Sequence, residues 1–240
     1  MSEQVQTVQI KLDDVGKRFR YEWIFRNLST TFEGGKTYAL LGSNGSGKST
    51  LMKILSGHLS PSAGKITFTI DEKKQDEDNI YKHISYAAPY VELIEELTLT
   101  EMIQFHIKFK PLSSERSPMD KGVLSDSKTL TVNGLIEILN FDKSRHKEIR
   151  FFSSGMKQRL KLALAICSDS PILLLDEPTT NLDAQGVAWY RQLMSRFTVD
   201  GGNPDSFGKG GNRLTIVASN TEHDYDFCDK MLNIEDFKKL

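Results

Sequence analysis

Apolar and polar positions alternate through the first third of the chain. Residues 5–15 carry Val8, Ile10 and Leu12 at every second place, and residues 23–32 hold Ile24, Phe25, Leu28 and Phe32. Both stretches predict strands that can pair. Glu33-Gly34-Gly35-Lys36 is a turn that feeds a short apolar run, 37–41. Beyond it Leu51-Met52-Lys53-Ile54-Leu55 predicts a helix starting near Lys48, and Gly57 with Ser60-Pro61-Ser62-Ala63-Gly64 marks a loop. Residues 65–70 alternate as a strand, 71–79 are charged and predict a solvated turn, and 83–88 form another strand ending at Pro89.

The period then changes. Thr98-Leu99-Thr100-Glu101 is a capping-box pattern that starts a helix through Phe109. Val132, Leu135, Ile136 and Leu139 recur at helical spacing, as do Leu160, Ala163, Leu164 and Cys167, so the middle third is expected to be largely helical. Residues 111–128 are rich in Ser, Pro and charge and predict a loop. The run Ile172-Leu173-Leu174-Leu175 is continuously apolar, as a central parallel strand covered on both faces requires, and it ends in Asp176-Glu177-Pro178. A helix over 184–197, a glycine-rich loop over 200–212, a strand over 214–219, a short helix over 224–229, a strand over 231–234 and a polar tail complete the pattern.

Candidate chemistry lies at two junctions of this pattern. Gly42-Ser43-Asn44-Gly45-Ser46-Gly47-Lys48-Ser49-Thr50 fits G-x-x-x-x-G-K-[ST] between a strand and a helix. Its glycines let successive N–H groups face an anion, and the helix adds its positive end. Lys48 is placed to reach β- and γ-phosphates, Ser49 to bind Mg²⁺, and Thr50 to donate to a further phosphate oxygen. At the second junction Asp176 can hold Mg²⁺, and Glu177 can polarise water for attack on the γ-phosphate. The glycines of 200–212 lack a preceding apolar strand and are expected to be a loop, not a second cradle.

Composition narrows the class. In 240 residues, 38% hydrophobic content suffices for a core. Lys+Arg 31 against Asp+Glu 32 leaves a formal charge of -1, so no global basic field points to nucleic acid, and none is expected as a partner. No signal pattern and no apolar run of roughly 18 to 20 residues is present, so a cytoplasmic protein is expected, held at a membrane only through a partner. Cys167 and Cys228 are far apart without metal-ligand spacing and are expected to be reduced, buried thiols.

Phe152-Ser153-Ser154-Gly155-Met156-Lys157-Gln158-Arg159-Leu160 is closely similar to the signature sequence of ABC ATPases, and the order of phosphate loop, signature, Asp176-Glu177 and Asn181-Leu182-Asp183 matches that family across nearly the whole chain. The resemblance implies an α/β fold: a P-loop NTPase core of ABC-ATPase type with a mixed central sheet, an antiparallel N-terminal β subdomain and an inserted helical lobe. It implies one domain over 1–240, with core 1–88 and 169–240 and lobe about 89–168. It also implies a nucleotide-driven homodimer or heterodimer, in which Ser153, Ser154 and Gly155 of one ATPase domain meet the γ-phosphate held by the other and Asp183 lies at the seam. Phe19 would stack on adenine, with Tyr21 the alternative.

Three positions depart from the family's usual pattern. Pro89 stands where a glutamine generally contacts Mg²⁺ or the attacking water, Asn220 where a histidine meets the γ-phosphate, and Ser154 where glycine is commoner. His223 is three residues beyond Asn220. With Lys48, Ser49, Asp176 and Glu177 present, hydrolysis of ATP with Mg²⁺ is expected, but slow. The function implied is the ATPase subunit of a transporter, exporter-type by its Gly-Met-Lys-Gln-Arg-Leu wording, driving a separately encoded membrane permease from the cytoplasmic face. The alternative is a soluble ABC ATPase outside transport, or a slowly hydrolysing regulator. Leu93, Ile94 and Leu97 offer either a docking patch for the permease or lobe core.

Overall fold

The computed structural model of the chain describes residues 7–113, 130–197 and 212–238. Alternation in the N-terminal segment produces a long antiparallel hairpin, β1 (Val8–Phe19) with β2 (Glu22–Glu33). Side chains two apart share a face, so Val8, Ile10 and Leu12 of β1 are all buried, as are Leu28 and Phe32 of β2, and Phe25 joins them across the register shift between Val15 and Lys17. The other edge of β1 pairs with β4 (Ala63–Ile70), and β5 (Lys73–Gln75) completes a sheet of order β2-β1-β4-β5.

The parallel sheet contains β3 (Thr37–Leu41), β6 (Ile84–Ala87), β7 (Ile172–Asp176), β8 (Leu214–Ala218) and β9 (Lys230–Asn233), in the order β6-β7-β8-β3-β9. Every pairing in it is parallel. The expected mixture of strand directions is therefore divided between two sheets. Successive residues of β7 serve opposite faces. Leu174 packs with the hairpin and α1 (Lys48–Leu55), while Leu173 and Leu175 pack with α2 (Leu99–Phe109), α3 (Val132–Leu139), α4 (Ser154–Ile166) and α5 (Ala184–Phe197). The described elements between β6 and β7 are all helical, α or 3-10. The order β7-β8-β3 also sets the functional geometry. In a parallel sheet all strands end at one edge, so the segments after β3, β7 and β8 emerge side by side.

Two local expectations are corrected. Residues 71–79 are not a plain turn: Asp71 and Glu72 take φ of 53° and 62°, reversing the chain as a two-residue hairpin turn, and Lys73–Gln75 then adds to the edge of β4. A 3-10 helix, Glu77–His83, follows. Residues 224–229 form no helix beyond the 3-10 turn Glu222–Asp224. Asp224 is buried there, accepting from Ser219 Oγ at 2.6 Å, while its carbonyl accepts from Tyr190 at 3.0 Å; these bonds fix an irregular corner.

Most of the Ser- and Pro-rich loop, nearly all of the glycine-rich loop and the first residues of the predicted strand over 5–15 lie outside the described residues. Cys167 is buried, but Cys228 only partly, and burial pushes its thiol up to about 12. No helix among the described residues is long and apolar enough to cross a membrane.

Candidate functional site

The phosphate loop leaves β3 and closes on α1. Gly42, Gly45 and Gly47 have φ of 144°, 77° and 108°. At Gly47 a Cβ would meet Ile24 Cγ2 at 2.7 Å and Phe25 Cδ1 at 3.2 Å, so only glycine lets the loop lie against β2 in this conformation. Gly47 is also the N-cap of α1 and carries no side-chain cap. The first amides of the helix are thus left to an outside acceptor, with the dipole's positive end behind them.

Lys48 is buried, and its ammonium lies across the loop, donating to Gly42 O at 2.7 Å, Ser43 O at 3.3 Å and Asn220 Oδ1 at 3.0 Å. Asn220 Nδ2 donates in turn to Asn44 Oδ1 at 2.6 Å. The segment after β8 therefore brings Asn220 onto both the lysine and the loop. His223 is directed elsewhere, with Nε2 3.2 Å from Thr179 Oγ1.

The acids at the end of β7 face the same mouth. Asp176 is buried with Ser49 beside it, and Glu177 Oε1 is 3.7 Å from Lys48 Nζ. Burial raises both carboxyls above their ordinary values, opposed at Asp176 by the Ser49 hydroxyl first and at Glu177 by Lys48. Glu177 has φ of 46°, a left-handed conformation uncommon outside glycine, and its N–H donates to Ala218 O at 2.8 Å. This conformation ends the strand and turns the carboxylate toward Lys48.

Two buried oxygens at this mouth, Ser46 Oγ and Asp176 Oδ1, have no hydrogen-bond partner. Orphaned buried oxygens are uncommon, and beside a phosphate loop they suit a hard cation and its water. Among the described residues no three His, Cys, Asp or Glu side chains cluster as a metal site. Ser49 and Asp176 fit Mg²⁺ as ligands that share it with nucleotide phosphates, the ordinary mode for that ion.

Ser153 and Ser154 are exposed at the start of α4, where Ser153 Oγ caps the helix by accepting from Met156 N at 3.2 Å. A Cβ on Gly155 would lie 3.1 Å from Asn181 O, so this turn abuts the segment that follows Glu177. Gln158 Nε2 reinforces the contact by donating to Pro178 O at 2.8 Å. Asp183 is exposed and caps α5, its Oδ1 accepting from Gly186 N at 2.7 Å. Phe19 is 50% exposed at the end of β1, in the hairpin whose second strand touches Gly47; Tyr21 is 97% exposed. Thr50 is half-buried within α1.

Two residues at the site were not anticipated. Glu235 accepts from Ser43 N at 3.0 Å and from the Ser43 hydroxyl, bracing the loop from the C-terminal 3-10 helix Ile234–Phe237. A carboxylate in a polar tail gives no local signal of such a contact. Pro89 is exposed, but the next residue, Tyr90, reaches Asp176 Oδ2 with its hydroxyl at 3.2 Å. Of the apolar residues after it, Leu93 and Leu97 pack against the core of the helices and Ile94 is exposed.

The model of the ABC transporter family matches residues 25–180. The uncharacterized ABC transporter ATP-binding protein YybJ of Bacillus subtilis is 31% identical over 225 residues, 94% of this chain and 92% of its own. The lantibiotic transport ATP-binding protein SrtF of Streptococcus pyogenes is 31% identical over 192 residues, 80% of this chain and 76% of its own. Among solved structures, a dimeric ATP-binding cassette bound to ADP and phosphate superposes with a TM-score of 0.71 at 22% identity, covering 93% of each chain. By the family match and by its similarity over nearly its full length to such proteins, the chain belongs to the ABC transporter ATP-binding family.

Proposed function

We propose that the chain hydrolyses ATP as the motor subunit of an exporter-type ABC transporter, closing a dimer when ATP binds and driving a separately encoded permease. The observation that carries this reading is the convergence of Lys48, Ser49, Asp176, Glu177 and Asn220 on the mouth of one glycine loop. Residues 42–50 and the first amides of α1 hold the phosphates, and Phe19 stacks on the adenine. Ser49 and Asp176 hold Mg²⁺, which supplies charge neutralisation of the phosphate oxygens. Glu177 orients and polarises the attacking water, its proton affinity raised by burial. Asn220 aligns Lys48 and offers its amide to the γ-phosphate. It cannot carry the positive charge of an imidazolium, and Pro89 offers no side-chain hydrogen bond, so turnover is slow.

The dimer places Ser153, Ser154 and Gly155 against the partner's phosphate. This turn abuts Asn181, so the signature and the segment leading to Asp183 form one continuous surface. We treat residues 1–240 as a single ATPase domain, with core 1–88 and 169–240 and a helical lobe at about 89–168. The permease docks in a cleft of 590 Å³ between Pro89–Glu96 and α4. Glu92, Glu95 and Glu96 line it with Lys157 and Lys161, Glu95 pairing with Lys157, and a basic amphipathic helix on the cytoplasmic side of the membrane complements the acidic surplus.

Light scattering with size-exclusion chromatography tests this reading on Glu177→Gln protein. A dimer formed only with Mg-ATP supports the shared site; a protein that binds ATP but stays monomeric favours an ABC ATPase outside transport. Purification with a multi-span membrane protein, lost on Glu92→Lys with Glu96→Lys, tests the docking cleft.

A further inference from the structure

We propose that Tyr90 is the residue through which the start of the helical segment positions the metal-binding carboxylate: its phenol O–H donates to Asp176 Oδ2 and holds Oδ1 toward the cation. The inference rests on the nucleotide reading above and adds to it a residue that no feature of the phosphate loop or the acidic strand end identifies.

The arrangement around Tyr90 is built from three elements. Its hydroxyl lies 3.2 Å from Asp176 Oδ2 at the end of β7, and it also hydrogen-bonds the hydroxyl of Tyr86, on β6 beside β7. The two rings stand edge to face, with centroids 6.1 Å apart. Lys53 of α1 places its ammonium 4.2 Å from the centroid of the Tyr90 ring. The ring is thus gripped by the helix of the phosphate loop while its hydroxyl touches the carboxylate on the neighbouring strand. A residue packed only for its apolar surface would not need its hydroxyl directed at a buried carboxylate.

The division of labour at Asp176 follows. A carboxylate has two oxygens, and hydrogen bonds from outer partners fix which one faces a metal. Tyr90 satisfies Oδ2, whereas Oδ1 is buried without a partner. Pro89 cannot make such a bond, so the donor comes from the next position along the chain. The backbone there is tied to α4, because Lys161 Nζ donates to Pro89 O at 3.1 Å. Tyr90 therefore links the phosphate-loop helix to the acidic strand end, and the residue before it is tied to the signature helix.

The test removes one oxygen atom. Tyr90→Phe keeps the ring, its contact with Lys53 and its partly exposed packing, so the fold is retained, as a thermal melt verifies. Mn²⁺ binding to the protein with a non-hydrolysable ATP analogue is read from the free-ion electron paramagnetic resonance signal, and analogue binding without metal is measured alongside. The expected result is about tenfold weaker Mn²⁺ binding, with metal-free analogue affinity within about twofold of wild type. Equal Mn²⁺ affinity in the two proteins would overturn the assignment. Equal weakening of analogue binding with and without metal would also overturn it, by showing that Tyr90 shapes the loop and not the carboxylate. A wild-type protein that binds no analogue at all would instead refute the nucleotide reading, and this proposal with it.

Discussion

At the scale of single residues, the site depends on where charges are held before any phosphate arrives. Lys48 is buried among two carbonyls and the Asn220 amide oxygen, with Glu177 at 3.7 Å, so its ammonium is already directed across the loop. Glu177→Gln keeps the shape and the left-handed backbone but cannot accept a proton from water. Its steady-state turnover is expected to fall about a hundredfold or more while ATP affinity stays near wild type, as phosphate release and nucleotide binding assays would show. On the proposed function, Asn220 limits the rate from the other side. Asn220→His restores a side chain able to donate to the γ-phosphate as a cation, and kcat is expected to rise by about tenfold. An unchanged or lower kcat would mean that the bond from Asn220 to Asn44 is worth more to the loop than the added charge.

At the scale of elements, the helical segments carry their own stability devices. Thr98 and Glu101 close a reciprocal capping box at the start of α2, and Thr98→Ala is expected to cost about 1 kcal/mol, read as a melting temperature lower by about 2–4 °C. Near the other end of α2, His106 lies 2.8 Å from Ser168 Oγ, and burial, with Lys110 nearby, lowers its pKa to about 4. The unfolded chain takes up this proton near 6.5, whereas the folded chain resists it down to about 4. Stability attributable to His106 therefore falls as pH drops through that window, and His106→Asn should flatten the decline in urea midpoint relative to wild type. These elements were legible because their signals are local: period-two apolar positions made β1, a cluster of apolar and aromatic residues made β2, an unbroken apolar run made β7, and Thr98 with Glu101 announced α2. The hairpin turn at Asp71-Glu72 was not legible, since neither residue is a glycine or asparagine that would flag two positive φ angles. Tyr90 and Glu235 escaped for a different reason. Each reaches the site across a long sequence separation, and only the packing of the sheet brings Tyr90 to Asp176 or Glu235 to Ser43.

At the scale of the whole molecule, the decisive question is whether the signature turn serves its own phosphate loop or another molecule's. Ser153 allows the two to be separated, because its hydroxyl has a local job that aspartate can also perform. It caps α4 by accepting from Met156 N, and Asp is as good an N-cap as Ser. Ser153→Asp should therefore leave α4, the melting temperature and ATP binding to the chain's own loop unchanged. It also places a negative charge on the exposed turn that we propose meets a γ-phosphate. Like charges at a closing interface oppose association by several kcal/mol, enough to reduce an ATP-dependent dimer to monomer at micromolar concentration. In the Glu177→Gln background, light scattering should then report a monomer with Mg-ATP for Ser153→Asp and a dimer for the parent. A dimer that survives the added carboxylate would show that the phosphate of one copy does not approach this turn in the other, and the shared-site arrangement would have to be abandoned even if hydrolysis itself were intact.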